Sequence, residues 1–151
     1  MKLAQILETL EKSKTFKDFK KENPDAFFCA AFIIMNLKQN TSETSLDFRN
    51  DKNIFTFKLL DKDKEVIMQK EELLPSQKPL EKIEEKQVSK IKADLEDLQQ
   101  IAEKELEKNK ITGSLDEIIA VLQSGAEEKS LVWNLTCICA GFTIVSIKID
   151  A

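Results

Sequence analysis

The stretch 131–150, LVWNLTCICAGFTIVSIKID, decides the fold class of this chain. Its apolar side chains occupy every second position, as in a strand that packs one face against a core. Gly141 marks a turn, and an odd-length loop over 140–142 would bring the apolar sets before and after it onto one face. We therefore predict an antiparallel hairpin over 130–150, whose core-facing residues are Leu131, Trp133, Leu135, Cys137, Cys139, Val145, Ile147 and Ile149.

Four further strands are predicted within 27–70. The run 26–37, AFFCAAFIIMNL, is apolar at both parities, which is typical of a strand that is covered on both faces or central in its sheet. A buried helix is the competing interpretation, but the β-branched and aromatic content favours a strand over 27–37. Alternating patterns predict strands over 44–49 and 53–60 around turn residues 50–53. A second turn over 61–64 leads to a strand over 65–70.

Four helices are predicted outside these strands. Apolar residues at helical spacing, followed by a break near Ser13, predict helices over 2–12 and 15–21. Val88, Leu95 and Ala102 belong to the most regular helical pattern of the chain, which predicts a long helix over 80–109 of about 40 Å. Ser114 and Glu117 form a capping-box pattern that predicts a helix over 114–123.

Grouped strands and segregated helices predict an α+β fold in a single domain over 1–151. We expect a largely antiparallel sheet of about six strands, with a long helix and shorter helices packed on one face. The long helix is longer than a typical strand of about 17 to 20 Å. Its ends should therefore overhang the sheet and expose Leu80 and Ile83 at one end and Leu106 at the other.

The composition argues against catalysis and against nucleic-acid binding. The chain has no histidine, a single arginine (Arg49), and none of the glycine-rich nucleotide-binding or nucleophile motifs. With 23 basic and 27 acidic residues the net charge is −4, and no segment combines a basic patch with stacking aromatics. We therefore expect no enzymatic activity, no cofactor and no nucleic-acid partner.

The three cysteines lie in apolar runs, where a free cysteine usually packs as a small hydrophobic side chain. Cys137 and Cys139 point the same way on a strand, and Cys29 could join them from the central strand in a three-thiolate metal site. Core packing is the favoured interpretation, so no metal is expected. The odd cysteine count, the absence of a signal-peptide pattern and an apolar run too short to span a membrane predict a cytoplasmic protein without a membrane segment.

The segment Ser114–Ala151 resembles the PepSY-type modules. The resemblance rests on a capped helix, on Val132-Trp133-Asn134-Leu135-Thr136, and on the ending Val145-Ser146-Ile147-Lys148-Ile149-Asp150-Ala151. It implies a helix packed on a small antiparallel sheet in a cystatin-like manner. Protease inhibition or peptide binding is the role that the family would suggest.

Two functions remain open at this point. The favoured one is a non-enzymatic module that binds a protein or a peptide, with a homodimer as one form of it. The alternative is a domain that binds a small apolar ligand between the sheet and the long helix. The residues predicted to contact a partner or ligand are Trp133, Leu80, Ile83 and Leu106; an exposed apolar end of a helix is uncommon unless it binds something.

Overall fold

The computed structural model describes residues 2–60, 65–76, 78–125 and 130–151. Two helices come first, four strands follow, a helical segment crosses the molecule, and three strands complete the chain. The bounds are α1 Leu3–Lys12, α2 Lys14–Glu22, β1 Phe27–Asn36, β2 Thr41–Arg49, β3 Asn53–Leu60, β4 Glu65–Glu72, α3 Glu85–Ser89, a 3₁₀ turn Leu95–Asp97, α4 Leu98–Lys108, β5 Leu115–Ser124, β6 Leu131–Cys139 and β7 Thr143–Asp150.

All seven strands belong to one antiparallel sheet in the order β4-β3-β2-β1-β5-β6-β7. The predictions of an α+β fold and of a single, largely antiparallel sheet are confirmed, and so is the central position of β1. The predicted turn over 140–142 also has the expected effect, because Trp133 pairs with Ile149 and both belong to the hydrophobic core cluster or pack against it. The predicted turn at 61–64 lies outside the described residues.

The first two helices form as their sequence predicts. Ser13 separates them, and its hydroxyl oxygen accepts a hydrogen bond from the Phe16 backbone N–H at 3.2 Å, which caps α2. Phe16 and Phe19 then point into the core against the sheet. The Phe16 ring lies 5.1 Å from Phe48 and the Phe19 ring 4.8 Å from Phe55, both edge to face, so α2 is fixed over β2 and β3.

The crossing from β4 to the helix layer is fixed by backbone hydrogen bonds and by Arg49. The N–H of Leu73 donates to Lys52 O at 2.9 Å, and the N–H of Ile83 donates to Phe28 O at 2.8 Å. Between these two points, Arg49 Nε donates to Leu80 O at 2.6 Å, while its guanidinium lies 4.5 Å from the centre of the Phe27 ring. The single arginine of the chain therefore holds a chain crossing in place.

The predicted long helix over 80–109 is wrong. Residues 80–84 are not helical, α3 has only 5 residues, and α4 starts after the 3₁₀ turn and has 11. Helix α3 ends at Ser89, and Asp94 starts the 3₁₀ turn: its buried carboxylate accepts hydrogen bonds from the N–H groups of Leu95 at 2.7 Å and Leu3 at 2.9 Å. These breaks fold the segment back over the core, so that Val88, Leu98 and Ala102 are all buried.

The predicted helix over 114–123 is also wrong, because this segment is β5. Ile118, Ala120 and Leu122 are buried at every second position, which is a strand period. β5 pairs with β1 on one side and β6 on the other, so it supplies the second neighbour that a central β1 requires. Gly125 follows β5 directly, and its N–H donates to Ser130 O at 2.8 Å, which continues the pairing of β5 with β6.

Candidate functional site

The four residues predicted to contact a partner contribute mainly to the protein's own core. Trp133 is completely buried, and its Nε1–H donates to Ala93 O at 2.7 Å. Ile83 and Leu106 are buried as well, and Leu80 is half-buried. Since the long helix does not exist, neither do the overhanging helix ends that were predicted to expose Leu80, Ile83 and Leu106. A contact role for these residues stays a prediction, and the surfaces described below involve other side chains.

The cysteines are core residues, as predicted. Cys29, Cys137 and Cys139 are all buried. Burial raises the pKa of Cys29 to about 12, with a further rise from Asp47, and it raises the pKa of Cys137 to about 11. Cys137 aligns through Ile118 with Met35 of β1, six residues from Cys29. That distance along a strand is about 20 Å, so Cys29 does not share a site with the other two thiols.

Asp47 is a buried charged residue of the sheet, only 8% exposed. It lies on β2 between β1 and β3, where Ala30 and Thr56 are its cross-strand neighbours. Its carboxylate accepts a hydrogen bond from the Thr56 hydroxyl at 2.7 Å. Burial raises the pKa of Asp47, with Glu71 adding to the rise and the Thr56 hydrogen bond opposing it. The group is satisfied within the sheet and faces no described cavity.

A groove of about 730 Å³ lies between α1 and the ends of β1 to β4. This volume falls within the range of about 300–1,000 Å³ that is usual for ligand pockets. The floor and walls are largely apolar, from Ile6, Ile33, Met35, Leu59, Val66 and Leu95. The rim is polar, from Thr9, Lys12, Ser13, Ser42, Thr44, Glu65 and Glu96. The groove can therefore take a molecule with an apolar body and a polar end.

The outer edge of β7 is the second candidate surface. The N–H of Ala151 donates to Leu131 O at 3.0 Å, so the odd-numbered residues of β7 form the hydrogen bonds to β6. The backbone N–H and C=O groups of Ile144, Ser146, Lys148 and Asp150 consequently point away from the sheet. No described strand pairs with this edge.

Two exposed apolar side chains lie at the start of this edge. Phe142 is 99% exposed and Ile144 is 66% exposed. Phe142 also has a φ of 64°, a left-handed conformation that is unfavourable for a bulky residue. A large aromatic ring in such a position contributes nothing to the core. An exposed aromatic beside an unpaired strand is a suitable anchor for a partner.

Sequence reasoning missed both surfaces, although each leaves a signal. On β2, the core-facing positions run Ser42, Thr44, Leu46 and Phe48, and the change from apolar residues to hydroxyls coincides with the groove. Phe142 follows a glycine in a tight turn, where a polar residue is usual. Neither signal could be interpreted before the strand order was known.

Comparisons with known proteins give only a structural likeness. No protein-family model matches the sequence, and no curated protein matches it. A crystal structure from Clostridium difficile 630, described as a "putative lipoprotein", superposes with a TM-score of 0.41 at 16% sequence identity, over 93% of this chain and 97% of that one. Within the described residues, no helix is long and apolar enough to span a membrane. The resemblance to PepSY-type modules stays a prediction, and the helix it relied on is β5.

Proposed function

We propose that this chain is a non-enzymatic module that binds a protein or peptide by adding an extended segment of its partner to β7. The observation that carries the proposal is the unpaired edge of β7 together with the exposed ring of Phe142. An added strand would satisfy the outward N–H and C=O groups of four residues, Ile144, Ser146, Lys148 and Asp150. Main-chain hydrogen bonds of this kind supply affinity, and the alternating side chains supply specificity.

The side chains of β7 indicate what the partner segment would be. Val145, Ile147 and Ile149 lie toward the core and are half-buried, so the core layer ends at this strand. Apolar residues at alternate positions of the partner would extend that layer. On the opposite face Lys148 and Asp150 are exposed and would select opposite charges in the partner.

The other edge of the sheet differs in a way that supports this choice. β4 carries Glu65, Lys70, Glu71 and Glu72, and all four side chains are exposed. Charged side chains on an edge strand discourage the addition of another strand. β7 has only one lysine and one terminal aspartate, whereas neither edge strand has a proline or a register shift. Of the two edges, β7 is therefore the one suited to pairing.

Site-specific photo-crosslinking in the cells that produce the protein tests the proposal. A benzophenone amino acid replaces Phe142 in one variant and Lys70, on the β4 edge, in the control variant. We expect one dominant adduct from position 142 and none from position 70. An adduct with a second copy of the chain would identify the partner as a homodimer. The same adducts from both positions, or none from either, would contradict the proposal.

We propose in addition that the protein has no catalytic activity and that it is cytoplasmic. A binding role through main-chain groups requires no reactive side chain. Fractionation of producing cells, with the tagged chain followed by immunoblotting, checks the location; recovery in the membrane fraction would contradict it.

A further inference from the structure

We infer that the groove between α1 and the ends of β1 to β4 binds a single-chain amphiphile with a cationic head group. This site is distinct from the β7 edge, since none of its lining residues belongs to β5, β6 or β7. The inference therefore stands independently of the proposed protein partner.

The apolar part of the groove is suited to a hydrocarbon chain rather than to a polar group. Ile33 is buried at the floor, while Met35, Leu59 and Val66 are only half-buried, although all four lie on the core side of the sheet. Their exposed surface is what an alkyl chain would cover. Removal of apolar surface from water favours binding in proportion to the area covered, so even a partial cover of these side chains contributes.

The hydroxyl groups of β2 provide polar contacts beside this floor. Ser42 and Thr44 alternate with the core residues of β2; Ser42 is exposed and Thr44 half-buried, and no side-chain hydrogen bond joins either hydroxyl to another described residue. By contrast, the other rim hydroxyls, those of Thr9 and Ser13, already donate to backbone carbonyls of α1. Two unpaired hydroxyls at the mouth of an apolar groove suit the polar end of a ligand.

The charges at the rim select the sign of the head group. Glu65 and Glu96 are exposed carboxylates in the groove lining. Among the described side chains that line the groove, Lys12 is the one basic residue, and its Nζ lies 3.0 Å from Glu8 Oε1 in an ion pair. The described part of the rim therefore has a surplus of negative charge. A carboxylate or sulfate head group would be repelled, whereas an ammonium head group would be attracted.

The methionines provide a direct readout of binding. Met35 lines the groove, and Met68 is an exposed methionine on β4 that does not line it. In protein labelled with ¹³C at the methionine methyl groups, decyltrimethylammonium below its micelle concentration should shift the Met35 resonance in a saturable way. The Met68 resonance serves as the internal reference. A titration that leaves Met35 unmoved, or that shifts both methyl groups equally, overturns the inference.

Ligands of equal chain length test the head group. Decanoate should bind at least about tenfold more weakly than decyltrimethylammonium, and decanol should lie between them. In the double variant Glu65→Gln with Glu96→Gln, affinity for the cation should fall about three- to tenfold, because each exposed charge pair contributes up to about fivefold. The affinity for decanol should not change. Equal binding of decanoate and the cation, or an unaffected double variant, refutes a cationic head group.

A blocking variant and its control test the location. Thr9→Trp places a large ring at the groove rim, whereas Ala4→Trp places the same ring at an exposed position of α1 outside the lining. Loss of the Met35 shift in Thr9→Trp, with the shift retained in Ala4→Trp, supports the site. The isosteric glutamine variants keep the test valid if a tryptophan variant fails to fold. Saturable binding in folded Thr9→Trp, as in the wild type, would place the ligand elsewhere.

Discussion

Replacement of Asp94 by alanine distinguishes the observed break over residues 90–94, which Asp94 closes, from an unbroken helix. The side chain of Asp94 is 7% exposed, and its Oδ1 accepts hydrogen bonds from Leu95 N at 2.7 Å and from Leu3 N at 2.9 Å. One bond starts the 3₁₀ turn, and the other joins it to the first residue of α1, where a negative charge is favourable.

The cost of Asp94→Ala follows from these two bonds. A hydrogen bond to a charged group contributes about 1.5–3 kcal/mol, and the loss of a capping residue costs about 0.5–2 kcal/mol. Allowing for water that reaches part of the vacated site, we expect the free energy of unfolding to fall by about 2–4 kcal/mol. Asp94→Asn keeps an acceptor oxygen and loses the charge, so we expect a smaller loss of about 1 kcal/mol.

Urea denaturation followed by tryptophan fluorescence measures this directly. Trp133 is the only tryptophan, and its indole donates to the carbonyl of Ala93, the residue before Asp94. In a continuous helix, by contrast, Asp94→Ala would stabilise by up to about 0.7 kcal/mol, because alanine has the higher helix propensity. An alanine variant as stable as the wild type, or more stable, would refute the claim that the helix is interrupted before Leu95.

Three further predictions concern single side chains. Burial raises the pKa of Asp47 above the value of about 3.9 that its carboxyl group has in the unfolded chain. Ionisation of this carboxyl group above about pH 4 therefore favours the unfolded state. Asp47→Asn, which keeps an acceptor for Thr56, should therefore be more stable than the wild type at pH 7 and lose this advantage below about pH 4; lower stability at pH 7 in urea denaturation would contradict it. Phe142→Gly should raise the free energy of unfolding by up to about 1 kcal/mol, because glycine tolerates the φ of 64°, and a destabilised variant would argue against that conformation. Burial raises the pKa values of Cys29 and Cys137 to about 12 and about 11, so a disulfide reagent at pH 8 should label these thiols only when the protein unfolds. Labelling of the native protein within seconds would show that the thiols are accessible and would contradict this prediction.

The sequence predicts most strands of this fold because their alternation is local. The hairpin over 130–150 and the strands around 50–53 lie where their patterns indicate, and so do α1 and α2. β5 was missed because Ile118, Ile119 and Leu122 also fit a helical spacing and Ser114 and Glu117 mimic a capping box. Pairing with β1 and β6 decides between the two, and this is a property of the sheet rather than of the segment.

The long helix was predicted for a similar reason. Val88, Leu95 and Ala102 keep a helical spacing, but a straight helix of about 40 Å would extend beyond the sheet and leave apolar side chains in water. The chain avoids this because α3 ends at Ser89 and helical structure resumes only at Asp94, whose carboxylate is held by a tertiary hydrogen bond from α1. The candidate surfaces depend on tertiary structure even more, because the edge position of β7 and the groove follow from strand order and helix placement.

The proposed pairing at β7 is tested most directly by a proline at the edge. The N–H of Ser146 points outward from β7, and the N–H of Lys70 points outward from β4, since Leu73 N pairs with Lys52 O. Proline removes that donor without breaking the native ladder. The affinity for the partner captured at position 142 should fall more than tenfold in Ser146→Pro and stay unchanged in Lys70→Pro, by isothermal titration calorimetry. Undiminished binding by folded Ser146→Pro would contradict strand addition at β7.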